Sequence, residues 1–287
     1  MSDSRRSMVL NQDLRRYAIY LLKKYNIRPK KSLGQTFLVN AEVIDKVVKC
    51  ANLSKRDIVL EIGGGLGFLT KRIAEEASRV ITIEIDRRLV EAMREVLNGI
   101  SNVEIIHGDA LKIKLPEANK VISNLPYSIS TEITFKLLEE VPFELAVLTY
   151  QKEVAQRILA EPGSEDYGRL TIMVQLYAIV KHALYIPRYY FHPIPKVDSM
   201  TLRIERKEPE LSPDELILFK EVVRDLFTQR NKLWMKVLRR YLMRRGLSEK
   251  LASEIVERIH KEVRASRVRE LTVLDLIRIT KVVQDYF

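Results

Sequence analysis

The sequence predicts an α/β protein: a mostly parallel sheet covered by helices, followed by a smaller all-helical region. Three observations predict it. Short apolar runs alternate with helical periodicity from about residue 41 to residue 160, and such alternation implies parallel strands in one sheet. A glycine-rich stretch directly follows the first of these runs. Beyond about residue 208 the strand signal stops and only helical patterns continue.

Taken in order, residues 12–25 (QDLRRYAIYLLKKY) read as a basic amphipathic helix that stops at Asn26-Ile27-Arg28-Pro29. Residues 41–51 form a second short helix. Strands are expected at 58–62, 80–84, 103–106, 120–124 and 145–150, with helices at about 68–77, 87–98, 130–140 and 151–160. Segments 178–186 and 199–206 are β-rich and are expected to pair antiparallel at a sheet edge. Two prolines and several charges make 207–213 the expected linker. Ser212-Pro213 then starts a helix, with proline at the first helical position. Further helices are expected at 231–245, 248–262 and 272–285, and Gly246 marks a stop. The expected organisation is a basic helical extension over 1–29, a catalytic domain over 30–207 and a helical domain over 208–287.

Apolar residues make up 46% and charged residues 30% of the chain, which is globular rather than disordered composition. Cys50 is the sole cysteine, so no disulfide forms within the chain, and no Cys/His cluster has metal-ligand spacing. The sequence holds no run of about 18 apolar residues and no signal-peptide pattern. These features lead us to expect a soluble cytoplasmic monomer without metal or membrane partner. The net charge of +11 is unevenly spread: residues 1–36 carry +7, residues 37–202 carry −2 and residues 203–287 carry +6. A near-neutral body with basic ends suggests polyanion-binding elements flanking a catalytic core.

The chemistry begins at Glu61-Ile62-Gly63-Gly64-Gly65-Leu66-Gly67, which lies between an expected strand and helix. Glycines such as Gly63 and Gly65 let the backbone turn tightly and approach a ligand. Glu84 ends the next strand, where a carboxylate can bind both hydroxyls of a ribose. Together they indicate an adenosine-containing cofactor, either a dinucleotide or S-adenosylmethionine. The spacing G-x-G-x-G departs from the dinucleotide pattern and leans toward the methyl donor. Asp109, in Gly108-Asp109-Ala110 after the third strand, can accept from the cofactor's adenine amino group. Gln35-Thr36-Phe37-Leu38 is expected to fold over the methionine end.

Asn124-Leu125-Pro126-Tyr127 ends the fourth strand. An exocyclic adenine amine is a poor nucleophile because its lone pair is delocalised into the ring. Acceptors for its two hydrogens would aim that lone pair; the Asn124 side-chain oxygen and the Leu125 carbonyl can serve. Pro126 stiffens the turn, and Tyr127 offers a ring against which an extruded base can stack. Such catalysis works by positioning and electrostatics and needs neither metal nor covalent nucleophile. The proline-stiffened segment Phe191-His192-Pro193-Ile194-Pro195-Lys196-Val197-Asp198-Ser199 is expected to bring Phe191 to the base's second face. His192 is expected to be a loop histidine rather than a general base.

Residues 224–245 contain Arg224, Arg230, Lys232, Lys236, Arg239, Arg240, Arg244 and Arg245, opposed only by Asp225. On a helix they would form a cationic face for phosphates, with Trp234 as a core anchor.

Lys31-Ser32-Leu33-Gly34-Gln35-Thr36-Phe37-Leu38, the glycine stretch, Glu84-Ile85-Asp86, Gly108-Asp109-Ala110, Asn124–Tyr127 and Phe191–Ser199 occur in a family's order. In this the chain resembles the ribosomal RNA adenine dimethyltransferases of the kasugamycin-sensitivity type, over roughly residues 28–205. The resemblance implies a class I S-adenosylmethionine-dependent methyltransferase fold, Rossmann-like with a seven-stranded sheet, and a small all-α C-terminal domain. It implies dimethylation of N6 on two adjacent adenosines near the 3′ end of small-subunit rRNA, in RNA or a pre-small ribosomal subunit. It carries the cofactor contacts over to Thr36, Leu38, Gly63, Glu84, Asp109 and Asn124. Position 36 is Thr where the family usually has Asn or His, and the long basic N-terminus suggests an archaeal-type member. Other readings are a large-subunit rRNA methyltransferase of the erythromycin-resistance type and a non-catalytic assembly or transcription factor on the same scaffold. More distant is an NAD-dependent dehydrogenase, which the glycine spacing and Asn124–Tyr127 disfavour.

Overall fold

A seven-stranded sheet organises the catalytic half of the chain, in the order β4-β3-β2-β5-β6-β9-β7. Its strands are β2 (Ile58–Ile62), β3 (Arg79–Glu84), β4 (Val103–His107), β5 (Lys120–Asn124), β6 (Leu145–Gln151), β7 (Ala178–Ile186) and β9 (Ser199–Arg206). A separate two-stranded ladder joins β1 (Phe37–Leu38) to β8 (Phe191–His192). The structure, a computed structural model, describes residues 3–30 and 34–287, with side chains from Asp13 onward in the first helix. Lys31, Ser32 and Leu33 of the first motif lie outside the described residues.

The central strands are apolar on both faces because helices cover both. Val59, Leu60, Val121, Ile122, Ala146 and Val147 are all fully inside. β2 pairs in parallel with β3 on one side and with β5 on the other. The chain therefore runs outward from β2 to β4, then returns to start again at β5. That reversal opens a crevice at the carboxyl ends of β2 and β5, where ligands of such sheets bind. The expected edge pair is present as neighbours β9 and β7, with β9 antiparallel to β6.

The helices are α1 (Asp3–Lys24), α2 (Ala41–Lys49), α3 (Phe68–Ala74), α4 (Arg87–Val96), α5 (Ser130–Glu140), α6 (Lys152–Leu159), α7 (Arg169–Tyr177), α8 (Pro213–Leu226), α9 (Trp234–Arg244), α10 (Glu249–His260) and α11 (Val273–Gln284). Their starts follow from capping. The Asn40 side chain accepts from Val43 N at 2.9 Å, and Asp86 caps α4. Ser212 and Glu215 form a reciprocal capping box at α8, as Thr272 and Asp275 do at α11.

The chain divides into two compact units, residues 1–155 with 179–206 and residues 156–178 with 207–287. Contacts, not chain order, set this division. Residues 156–178, read from sequence with the catalytic domain, group with the C-terminal helices instead. The buried Tyr167 hydroxyl donates to Leu271 O at 2.8 Å, and Gly163 N donates to Arg269 O at 2.7 Å. The first helix is likewise no detached extension. Ala18, Leu21 and Leu22 of α1 are buried in one apolar cluster with Val43, Val47, Leu38 and Phe191. In the second unit Phe219, Leu226, Trp234, Leu238 and Leu276 are fully buried, and Trp234 Nε1 donates to Ala265 O at 2.7 Å. Trp234 is the core anchor expected.

Candidate active site

A cavity of about 390 Å³ occupies the crevice at the strand ends. The glycine stretch lines it, and two glycines there are favoured by backbone angle, one of them by space as well. Gly63 has φ +75°, and a Cβ on it would sit 2.8 Å from Pro126 Cγ. Gly65 has φ +58°, and its Cβ would lie 3.1 Å from the Phe37 ring. A side chain would be strained by the backbone angle at both positions, and at Gly63 it would also collide with Pro126.

Glu84, at the end of β3, is only 5% exposed. Its Oε2 accepts from Gly65 N and its Oε1 from Asp86 N, each at 2.9 Å. Burial pushes the Glu84 carboxyl upward in pKa, while those backbone amides pull it back. Two amide bonds fix the carboxylate plane and leave further lone pairs, the acceptor set that a ribose diol needs. Asp109 Oδ1 accepts from Leu111 N at 3.0 Å, which holds its carboxylate at the wall of the same cavity.

At the end of β5, Asn124 Nδ2 donates to Thr36 O at 3.3 Å. That bond turns the amide so that Asn124 Oδ1, which is buried, has no hydrogen-bond partner. A buried acceptor without a donor is costly unless a ligand supplies one. Leu125 N donates to Thr149 O at 3.2 Å, and Pro126 O accepts from Ile129 N at 3.1 Å, so the turn is pinned on both sides.

Gln35, Thr36, Leu38, Gly63, Gly65, Glu84, Asp109, Asn124, Leu125 and Pro126 all line the cavity, as the sequence reading placed them together. Tyr127 and Phe191 do not line it. Tyr127 sits between lining residues, with its hydroxyl 2.7 Å from Ser199 Oγ. Burial raises its pKa, offset by hydrogen bonds from Ser199 and Thr36, so the phenol stays neutral at physiological pH. Phe191 is a correction: its ring is fully buried in the apolar cluster with Ala18 and Leu21. Pairing of Leu38 with Phe191 turns that ring into the core, away from any base.

Two lining residues stood in the motifs read from sequence without a role assigned to them. Gly34 (φ +62°) brings its backbone against the Tyr127 and Ser128 amides, where a Cβ would stand 2.7 Å from Tyr127 N; its place in the first motif was the available signal. Glu61 is 1% exposed and accepts from Thr70 Oγ1 at 2.6 Å. Burial pushes its carboxyl up to about 7, against the hydrogen bond from Thr70. Its place at the head of the glycine motif, a carboxylate amid an apolar strand, was the available signal.

The cationic face is on the second unit, with a correction of detail. Arg244 is held by both oxygens of Asp225, and Arg245 is bound to Glu221 at 2.6 Å. Glu221 lies just before the run considered from sequence, so these two arginines are already neutralised. Arg230 donates to Glu165 O, and Arg239 lies 3.9 Å from Glu249. Lys232, Lys236 and Arg240 are exposed and form no ion pair among the described residues.

Among the described residues no group of three or more His, Cys, Asp or Glu is placed to hold a metal ion, and no helix is long and apolar enough to cross a membrane. The family model of ribosomal RNA adenine dimethylases matches residues 26–283. A probable ribosomal RNA small subunit methyltransferase A from Pyrococcus abyssi is 46% identical over 220 residues, covering 77% of this chain and 79% of that protein. Its counterpart of the same name from Thermococcus sibiricus is 44% identical over 259 residues, with 89% and 92% covered. Among solved structures, a dimethyladenosine transferase from Plasmodium falciparum superposes with a TM-score of 0.74 at 31% identity, over 83% of this chain and 94% of that one. The 23S rRNA methyltransferase ErmE follows with a TM-score of 0.66 at 27% identity, over 86% and 99%.

Proposed function

The chain belongs to the ribosomal RNA adenine dimethylase family, and from this premise we propose that it dimethylates N6 of two adjacent adenosines near the 3′ end of small-subunit rRNA. The observation that carries the reading is Asn124 Oδ1, a buried acceptor with no donor, at the end of β5 and on the wall of the cavity. The relatives named for the small subunit share 46% and 44% identity, against 27% for the large-subunit enzyme ErmE. The large-subunit alternative is therefore not favoured.

The cavity fits the methyl donor of this family, S-adenosylmethionine. Glu84 would take the ribose hydroxyls, Asp109 the adenine amino group, and the Gly63–Gly65 backbone would lie against the nucleoside. Gln35, Thr36 and Leu38 would cover the methionine end. When bound, the donor supplies an electrophilic sulfonium methyl group. Asn124 Oδ1 and the Leu125 carbonyl would each accept one N6 hydrogen of the target base, which turns the nitrogen lone pair toward the methyl. Pro126 holds that turn rigid. Tyr127 would offer a neutral ring for stacking. With the base held this way, no general base has to form a full amide anion before transfer.

The second unit would contribute affinity. Lys232, Lys236 and Arg240 would meet phosphates, with Arg230 and Arg239 in support, and Arg244 and Arg245 would chiefly brace the helices. Such contacts position RNA without choosing the base. The working form would be a cytoplasmic monomer acting on RNA or an assembling small subunit.

The test is product identification. Small and large subunits from cells lacking the modification are each incubated with the protein and labelled S-adenosylmethionine, and the digested RNA is analysed by mass spectrometry. Dimethyladenosine near the small-subunit 3′ end is expected. Label appearing only in large-subunit RNA would transfer the reading to that substrate, and no transfer to either RNA would overturn it.

A further inference from the structure

We propose that Arg15, on the N-terminal helix α1, is a positioning residue for methyl transfer, acting through the β1–β8 ladder on Asn124. The proposal rests on the proposed function for what Asn124 does. It also gives α1 a function that its sequence did not disclose.

The connection is an unbroken series of bonds. One Arg15 guanidinium nitrogen donates to Tyr189 O and, at 3.3 Å, to Phe191 O. The carbonyl between them, Tyr190 O, accepts from Val39 N at 2.9 Å. Leu38 pairs with Phe191, and Phe37 with His192. Thr36, the residue before this two-residue strand, receives the Asn124 amide on its carbonyl at 3.3 Å. Phe37 in turn lies against Gly65, and Gly34 against the Tyr127 amide.

A strand of two residues cannot fix its own position, because one pair of ladder bonds barely offsets the entropy of ordering the chain. Three successive carbonyls, at 189, 190 and 191, need donors, and Val39, just past β1, supplies a bond to the middle one. Arg15 bonds the other two from a helix 174 positions away in sequence. That single nitrogen carries two N–H donors, one for each carbonyl, and the planar guanidinium holds their directions fixed in a way a rotating ammonium does not. The helix is itself anchored: Ala18, Leu21 and Leu22 are buried, Tyr25 Oη and Lys24 Nζ both bind Glu95 at 2.6 Å, and Arg88 binds Asn26 O at 2.9 Å. A fixed helix therefore holds a fixed strand, and the strand sets the direction of the Asn124 oxygen. Loss of the arginine would free the carbonyls at 189 and 191, loosen β8 against β1, and let the Asn124 amide rotate.

Arg15→Ala and Arg15→Lys are compared with wild type in the full chain. Four quantities are measured: the exchange rate of the Val39 amide by NMR, S-adenosylmethionine affinity, and kcat and KM for rRNA methylation. Arg15→Ala should speed Val39 exchange and lower kcat on the order of 10-fold, since small misplacements of reacting groups cost that much or more. The KM for RNA should hold, and Arg15→Lys should recover part of kcat. A merely structural role would lower the active fraction in step with global unfolding, and Lys would not rescue it selectively. Unchanged Val39 exchange overturns the proposal, as does faster exchange with wild-type kcat. Should wild-type protein leave rRNA adenine unmethylated, the functional reading fails, and Val39 exchange still decides whether Arg15 holds the ladder.

Discussion

The Tyr127 hydroxyl lies 2.7 Å from the hydroxyl of Ser199, which is fully buried at the start of β9. This bond joins the turn after β5 to the end of the proline-rich segment, 72 positions away. It fixes the plane of the Tyr127 ring, the stacking surface in the proposed mechanism. Ser199→Ala would strand a largely buried phenol, at a cost of about 1–3 kcal/mol. Tyr127→Phe strands the serine instead. The double variant should cost less than the two singles combined, with a coupling of about 1 kcal/mol in denaturant unfolding. Additive losses would mean the two hydroxyls do not depend on each other.

Asn124→Ala removes the buried acceptor together with the bond to Thr36 O. The rate of methyl transfer should fall on the order of 10²-fold or more, as with loss of one oriented polar group in other active sites. Donor affinity should weaken modestly at most, because Glu84 and the glycine backbone remain. Single-turnover kinetics with saturating donor separates these effects. Near-normal transfer would remove Asn124 from the mechanism.

Much of this site was legible because it lies at the ends of strands whose apolar runs are unambiguous. The residues after β2, β3, β4 and β5 converge by topology, so Gly63, Glu84, Asp109 and Asn124 could be placed together without coordinates. What was not legible shares a different cause. β1 and β8 have two residues each, too few for any periodicity, so the inward direction of Phe191 had no signal. The α7 helix buries Thr171, Ile172, Met173, Val174, Leu176 and Tyr177, six of its nine residues, and burial on most sides erases its amphipathic pattern. Glu221 escaped because an ion pair between neighbouring helices follows from packing and not from local spacing.

The pairing on α9 changes which substitutions should affect RNA binding. Replacing Lys232, Lys236 and Arg240 with Ala should reduce the slope of log affinity against log salt by about 2–3 units, at roughly 0.7–0.9 for each phosphate no longer neutralised. Replacing Arg244 and Arg245 should change the slope less and stability more, because Asp225 and Glu221 would lose their partners. A salt titration of binding, alongside thermal unfolding, reads both. Equal slope changes from the two sets would show that the ion pairs open on RNA.

Glu61 predicts an unusual dependence of stability on pH. Its carboxyl moves from 4.5 to about 7 because burial disfavours the charge. Below pH 4.5 both folded and unfolded chains hold the proton. Between 4.5 and about 7 only the folded chain does, so stability falls as pH rises through that window. At about 1.4 kcal/mol per unit, the loss is on the order of 3 kcal/mol, complete above pH ~7. Glu84 is shifted in the same direction, whereas the lowered His192 opposes it, chiefly near and below pH 6.5. Asp45, Asp57 and Asp86 are shifted down, so their stabilisation is lost only as pH falls below about 4. The informative quantity is therefore the difference between wild type and Glu61→Gln, in which His192, Asp45, Asp57 and Asp86 cancel, leaving Glu61 and its coupling to Glu84. Glutamine mimics the neutral acid and can still meet Thr70. The variant should match wild type near pH ~4.5 and exceed it increasingly toward pH ~8, measured by denaturant unfolding at each pH. Parallel profiles would show that Glu61 is ionised in the folded protein and that the Thr70 hydroxyl outweighs its burial.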